Sequence, residues 1–137
     1  MSLFVDTSVW YAAADSAAAS NALAKEILSF GDPLVTTDHV LLETWTLLRW
    51  RIHKEAAEAF WEGLRSGVAS MEIVGPADLQ AAWTMGRDFP DQDFSLVDRT
   101  SFAVMERLGL DRAASFDSDF AVYRWGPRRD RAFEVLR

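Results

Sequence analysis

Residues 93–120 read DFSLVDRTSFAVMERLGLDRAASFDSDF, and this stretch decides the fold. From Ser95 onward apolar residues recur at helical spacing, and Gly109 marks the end of the predicted helix. The short apolar run 113–116 then predicts a strand that ends at Asp117. A helix that leads into a short buried strand is the repeating unit of an α/β domain.

Length and composition indicate one folded domain. The chain has 137 residues, of which half are apolar and 12% aromatic, enough to build a single core. We find no internal repeat and no linker, so residues 1–137 are predicted to form one domain. The sequence has no cysteine, which excludes disulfides and thiolate chemistry. The first residues lack the features of a signal peptide, and no apolar window could span a bilayer, so we expect a cytoplasmic protein without membrane contact.

The charge is negative overall and unevenly distributed. A net charge of −7 argues against a general polyanion binder with a basic surface. The last fourteen residues are nevertheless rich in arginine. The chain therefore combines an acidic body with a basic end.

The rest of the sequence repeats the pattern of short strand and helix. Predicted strands are 2–5, 33–35, 71–74, 113–116 and, at an edge, 132–136. The first predicted helix begins just after Asp6. The other predicted helices cover 17–29, 39–52, 54–66, 78–88, 95–108 and 118–125. This order predicts an α/β fold with a mainly parallel sheet of four or five strands.

Acidic residues occur at the ends of these strands. Asp6 and Asp117 each follow a predicted strand directly. Glu43 lies about one turn into the helix after the second strand, and Asp98 opens the helix before the fourth. Sites in parallel sheets form outside the carboxyl ends of the strands. We therefore expect these four carboxylates to meet at one end of the sheet.

Each acid also has a structural interpretation. Asp98 ends an S-x-x-D sequence that is typical of a capping box. Asp6 could form a turn at the strand end, and Glu43 could be a surface residue at the edge of an apolar stripe. Asp117 and Asp119 could together begin the last helix. No single acid decides between structure and function.

The combination of acids is more informative than any one of them. Carboxylates that converge in one pocket repel one another, and a bound cation offsets that repulsion. Oxygen ligands favour Mg²⁺ or Mn²⁺, which is typical of phosphate chemistry. His39, one turn before Glu43, is a weaker candidate ligand. Since no His or Lys is placed to act as a general base, a metal-activated water is the expected nucleophile.

Four segments of the sequence resemble the acidic blocks of the PIN-domain ribonucleases, and most closely the VapC-type toxins of prokaryotic toxin–antitoxin pairs. The resemblance covers nearly the whole chain in the order of the family. The segments are LFVDTSVWYA (3–12), HVLLETWTLL (39–48), FSLVDRTSFAVM (94–105) and ASFDSDF (114–120).

The resemblance assigns roles to individual acids. Asp6, Glu43, Asp98 and Asp117 match the catalytic, metal-binding acids of the family. Asp119 matches an acid that is often present in the last block, where it shares or replaces the role of Asp117. The sequence does not decide whether Asp117 or Asp119 is the fourth metal-binding acid.

The resemblance also implies a fold, a reaction and partners. It implies a three-layer α/β/α sandwich and Mg²⁺- or Mn²⁺-dependent hydrolysis of RNA. It further implies a cognate antitoxin protein, a homodimer, and contact with DNA only through the antitoxin. Alternatives are a PIN-like RNA-processing nuclease without a toxin role, a catalytically inactive PIN-like binding module and a DNA-directed nuclease. A dehalogenase-type phosphatase is disfavoured because the first block lacks D-x-D.

Five residues are candidates for contact with the substrate. Ser8 matches a hydroxyl that is often near the site in the family. Arg49 and Arg51 lie together in the sequence and could follow a phosphate backbone. Trp10 and Tyr11, just after Asp6, are candidates for contact with substrate or antitoxin.

Overall fold

The structure is a computed structural model that describes residues 1–137. None of its helices combines the length and the apolar character needed to cross a bilayer. The strands are β1 (Leu3–Val5), β2 (Leu34–Thr37), β3 (Ser70–Glu72), β4 (Arg112–Ala114), β5 (Arg124–Trp125), β6 (Arg131–Ala132) and β7 (Glu134–Leu136). The helices are α1 (Thr7–Ala14), α2 (Asn21–Leu28), α3 (Asp38–Arg51), α4 (Lys54–Arg65), α5 (Pro76–Asp88), α6 (Leu96–Leu108) and α7 (Asp119–Val122).

The main sheet has five parallel strands in the order β3-β2-β1-β4-β7. Phe4 of β1 is paired with Val35 of β2 on one side and with Ala113 of β4 on the other. Strand order thus reverses at β1, and the crevice beside its carboxyl end is the expected place for a site. The predicted three-layer α/β/α fold with a parallel sheet is confirmed.

The central strand is apolar throughout because both of its faces are covered. Leu3, Phe4 and Val5 are completely buried, as expected for a strand with helices on both sides of the sheet. Their burial leaves the next residue, Asp6, at the boundary between the core and the crevice. The same pattern places Ser115 directly after the buried β4.

Aromatic packing joins the two helices beside this crevice. Phe102 of α6 stacks on Tyr123 with ring centroids 4.2 Å apart and meets Phe120 of α7 edge to face at 4.9 Å. Phe94, just before α6, is 5.3 Å from Phe102. Pairs in these geometries add to the free energy of burial. The start of α6 and the whole of α7 are therefore held in fixed relation.

The C-terminal part differs from the sequence prediction. The predicted edge strand 132–136 is divided, because β6 pairs antiparallel with β5 in a separate two-stranded sheet while β7 joins β4 in the main sheet. Phe133, between the two strands, is buried and anchors the division. The predicted helix 118–125 is also wrong beyond Val122, where the chain turns to bury Tyr123 and enter β5.

Candidate active site

The carboxyl ends of β1 and β4 open into a polar pocket with a volume of about 510 Å³. It lies between the starts of α1 and α6, the loop before α7 and one face of α3. Its lining residues are Asp6, Thr7, Ser8, Tyr11, Glu43, Leu47, Arg51, Asp93, Ser95, Asp98, Asp117 and Asp119. We refer to it as the acidic pocket, because half of these residues are carboxylic acids.

Asp6 forms the floor of the acidic pocket and caps α1. Its Oδ2 accepts hydrogen bonds from the hydroxyls of Ser8 and Ser115, both at 2.9 Å. Burial raises the pKa of Asp6, and these hydroxyls offset part of the rise. Asp6 is the N-cap of α1, and its side chain accepts a hydrogen bond from the Ser8 amide.

Ser8 and Ser115 connect the two loops that carry the acids. The Phe116 amide donates to Ser8 Oγ at 2.9 Å, and the Asp117 amide donates to Ser115 Oγ at 3.1 Å. Each serine thus binds Asp6 and a backbone amide of the loop after β4. Sequence reasoning missed Ser115, although its position directly after a buried strand was a usable signal.

Asp98 belongs to the capping box at the start of α6 and also lines the acidic pocket. The Ser95 amide donates to Asp98 Oδ2 at 3.4 Å, and the Asp98 amide donates to Ser95 Oγ at 3.0 Å. The capping box therefore exists and fixes the carboxylate, but it does not neutralise it. Burial, and then the nearby charge of Asp6, raise the pKa of Asp98 to about 8.

Three carboxylates converge beside the start of α6. Oxygen atoms of Asp98, Asp117 and Asp119 all lie within 4.8 Å of one another. Asp117 Oδ1 also accepts a hydrogen bond from the Asp119 amide at 3.0 Å, which fixes the turn between them. Burial raises the pKa of Asp119, and the charge of Asp117 adds to the rise. The structure thus brings both acids of the last block to the cluster.

Asp6, Glu43 and Asp93 line the pocket outside that three-carboxylate group. Asp6 is near enough for its charge to raise the pKa of Asp98. Asp93 was missed in the sequence, and its charge raises the pKa of Asp119. Its signal was the acid-rich loop that leads into the helix of Asp98.

The donor set of the pocket fits a hard divalent cation. All six acids offer carboxylate oxygens, and every ion pair of the protein involves other residues. None of the six acids is therefore in an ion pair with a Lys, Arg or His side chain. Oxygen-only sites with several acids suit magnesium or manganese rather than softer metals.

The candidate substrate residues lie in different surroundings. Ser8 is held in the network around Asp6. Arg51 lines the pocket, with its guanidinium carbon 5.5 Å from the centroid of the Tyr11 ring. Arg49 does not line the pocket and lies over the exposed ring of Trp50 at 5.4 Å.

Two further candidates lie outside the acidic pocket. His39 does not line the acidic pocket, and its Nδ1 is 3.2 Å from Thr100 Oγ1. Trp10 is buried in the core, where its indole donates to Thr36 Oγ1 at 3.3 Å. The adjacent Tyr11 is the aromatic residue that reaches the pocket.

A parallel α/β domain with a carboxylate pocket at the switch point of its sheet has the architecture of a metal-dependent hydrolase. The family model of the PIN domain matches residues 3–126. The chain therefore belongs to the PIN-domain family, and the family prediction from the sequence is confirmed.

Relatives and solved structures agree with this assignment. The chain is 41% identical over 122 residues to the 23S rRNA-specific endonuclease VapC20 of Mycobacterium tuberculosis, covering 88% of this chain and 92% of the relative. The crystal structure of VapC20, described as a sarcin-ricin loop cleaving toxin, matches with a TM-score of 0.84 at 38% identity and covers 88% of this chain and 93% of that one.

More distant structures share the fold alone. VapBC2 from Rickettsia felis, solved with a promoter DNA fragment, matches with a TM-score of 0.71 at 11% identity and full coverage of both chains. FitAcB from Neisseria gonorrhoeae matches with a TM-score of 0.66 at 12% identity, covering 100% of this chain and 97% of that one.

Proposed function

We propose that this chain is a divalent-metal-dependent endoribonuclease and the toxin of a toxin–antitoxin pair. The observation that carries the proposal is the convergence of Asp98, Asp117 and Asp119 within 4.8 Å beside Asp6 in one open pocket. The predicted enzyme class agrees with the activity of VapC20, a 23S rRNA-specific endonuclease that is 41% identical to this chain. Ribosomal RNA is therefore the first substrate to test.

Asp98, Asp117 and Asp119 are the residues that would hold Mg²⁺ or Mn²⁺, with Asp6 and Glu43 completing the site from the floor and from α3. When bound, the cation supplies Lewis-acid polarisation of the phosphodiester and lowers the pKa of the attacking water. The tighter grouping of Asp98 with the last two acids favours these three as the direct set.

The side chains around the acids have positioning roles in this proposal. The hydroxyls of Ser8 and Ser115 hold the Asp6 carboxylate in one orientation. The capping box holds Asp98, whose pKa is raised by burial and by the charge of Asp6, and a bound cation would favour its ionised form. With no His or Lys among the lining residues, the carboxylates are the groups that accept the proton of the attacking water.

The proposed partners follow from the same assignment. They are an RNA substrate, a cognate antitoxin protein and a second copy of the chain, with DNA reached only through the antitoxin, all in the cytoplasm. The negative lining of the pocket supports an inhibitor that presents a cationic side chain. Co-purification of the chain with the product of a neighbouring small gene, followed by sedimentation, tests both protein partners.

The proposal is tested by incubating the purified chain with ribosomal RNA in Mg²⁺ or Mn²⁺ and sequencing the new RNA ends. We expect cleavage at defined positions that stops when EDTA is added. An Asp98→Asn preparation, purified identically, should retain less than about 1% of this activity, because removal of one charge-stabilising group costs 10²-fold or more.

The paired control is Asp78→Asn, since Asp78 has the same position in its helix but lies outside the pocket. It should retain cleavage at temperatures where it is folded. Equal cleavage by the Asp98→Asn and wild-type preparations would contradict the assignment and point to a contaminating nuclease.

A further inference from the structure

The acidic pocket has an opposite end that carries positive charge. Arg51 is the single cationic side chain among its lining residues. Glu43, Leu47 and Arg51 follow one another at four-residue intervals, so they share one face of α3. Eight residues correspond to roughly 12 Å along the helix axis. Arg51 therefore lies about 12 Å along α3 from Glu43. From there it could contact a different group of a long ligand than the one that the acids contact.

Arg51 is free to bind a ligand. Its side chain makes no hydrogen bond and no ion pair, and the residue is exposed. By contrast, Arg107, Arg112 and Arg129 are in ion pairs, and Arg124 donates to backbone carbonyls. The planar guanidinium of Arg51 retains all of its donors, which match the geometry of a phosphate.

Tyr11 provides an aromatic surface at the same end. It lies one turn after Ser8 on α1 and lines the pocket, whereas Trp10 points into the core. Its ring is half-buried and carries the Arg51 guanidinium at 5.5 Å from its centroid. The two side chains form a small stack at the pocket rim.

We propose that Tyr11 and Arg51 form a subsite for the nucleotide next to the cleaved phosphodiester. Arg51 binds a phosphate of the single-stranded RNA, and the stack of Tyr11 and Arg51 supports an unpaired base. This inference rests on the proposed ribonuclease function, but it names a substrate contact that the acids cannot supply. We refer to the pair as the nucleotide subsite.

The nucleotide subsite offers the two kinds of contact that single-stranded RNA uses. The chain carries a net charge of −7, and six acids in the pocket repel a polyanion, so a positive group at the rim contributes attraction where the strand enters. Phosphate contacts fix the register of a strand, and unpaired bases stack on aromatic rings and guanidinium planes. Tyr11 and Arg51 supply one of each.

The test measures binding of a fluorescein-labelled, mixed-sequence 20-nucleotide single-stranded RNA by anisotropy in Mg²⁺. Asp98→Asn serves as the parent protein so that the probe stays intact. Adding Tyr11→Ala should weaken binding about tenfold, since base stacking on an aromatic residue contributes on this scale. An oligonucleotide of equal length made of abasic residues should bind the two proteins equally. Tyr11→Phe, which keeps the ring, should restore binding of the RNA.

Arg51 is tested by the dependence of binding on salt. Adding Arg51→Ala to the parent should reduce the slope of log affinity against log salt by about 0.7, the value for one phosphate of a single strand. It should weaken binding of both oligonucleotides equally. Arg87→Ala removes the same charge from an exposed position outside the pocket and should leave the slope unchanged.

The outcomes separate the subsite from the proposed function. RNA binding that is identical with and without Tyr11 and Arg51 overturns the nucleotide subsite alone and would leave the pair to a protein partner. If the parent protein binds no RNA and the wild-type chain cleaves none, both proposals are overturned. Thermal melting of each variant confirms that the compared proteins are folded.

Discussion

Asp78 and Asp98 occupy the same position in two neighbouring helices. Each is the third residue of its helix and accepts a hydrogen bond from the backbone amide at the cap, from Gly75 at 3.0 Å and from Ser95 at 3.4 Å. Both are buried, with 4% and 7% of their surface exposed. The two acids therefore have the same helix position and the same hydrogen bond to the backbone.

Their surroundings shift the two pKa values in opposite directions. Burial alone raises the pKa of both acids. At Asp78, two hydrogen bonds from Arg107, at 3.0 and 3.1 Å, and the charge of Arg107 outweigh burial and lower the pKa. At Asp98 the neighbours are acids, and the pKa rises to about 8.

The difference shows what distinguishes a structural acid from a functional one in this fold. Asp78 has an internal cation and contributes to stability. Asp98 has no internal cation, and the neighbouring acids repel its charge. Its carboxylate is therefore available to an external cation. The same distinction separates Asp88, which is paired with Arg129 at 3.0 Å, from the acids of the pocket.

Removing the internal cation should produce the largest change in stability. Arg107→Met keeps the apolar stem but leaves the buried Asp78 carboxylate unpaired. We expect the free energy of unfolding at pH 7 to fall by about 2 kcal/mol in urea denaturation. This is less than the loss for a fully buried pair, because the Arg107 side chain is 42% exposed and is screened by water.

A double-mutant cycle sharpens that result. Asp78→Asn combined with Arg107→Met should lose less stability than the sum of the single changes, since no buried charge then remains unpaired. Strict additivity would show that the two side chains do not interact.

Asp98→Asn should change stability in the opposite direction. In EDTA, the folded wild type binds a proton at Asp98 up to about pH 8, whereas the unfolded chain releases it near 3.8. Stability therefore falls as pH rises through this window. The Asn variant lacks this fall and retains an oxygen for the cap.

We expect the Asp98→Asn variant to unfold at higher urea concentration than wild type at pH 8.5, with a gain of about 1.5 kcal/mol. One pKa unit corresponds to about 1.4 kcal/mol, and coupling to the other acids reduces the full effect. The difference between the two proteins should shrink toward pH 5. Parallel stability curves across this range would contradict the raised pKa.

Much of the fold was predictable because its signals are local. Short apolar runs that end in an acid, such as the run before Asp6, identify buried parallel strands and the side of the sheet that carries the site. The position of Asp98 was likewise evident from its capping sequence. These features depend on periodicity and on backbone chemistry within a few residues.

The unpredicted features depend on contacts between distant segments. The division of residues 132–136 follows from the burial of Phe133 against rings of α6 and of the loop after α7. Trp10, a candidate from the sequence for contact with substrate or antitoxin, enters the core instead. The roles of Asp93 and Ser115 in the pocket depend on contacts between loops that are far apart in the sequence, so the sequence alone did not indicate them.

A magnesium titration gives the smallest expected effect but addresses the comparison of Asp78 with Asp98 most directly. A ligand at five times its dissociation constant stabilises the folded state by about 1 kcal/mol. Melting temperature in MgCl₂, at ionic strength held constant with NaCl, should therefore rise saturably for wild type. Asp78→Asn should melt lower yet retain the rise, whereas Asp98→Asn should lose it. An equal saturable rise in Asp98→Asn would mean that the cation binds elsewhere. The two substitutions remove equivalent buried acids, of which only Asp98 lines the acidic pocket.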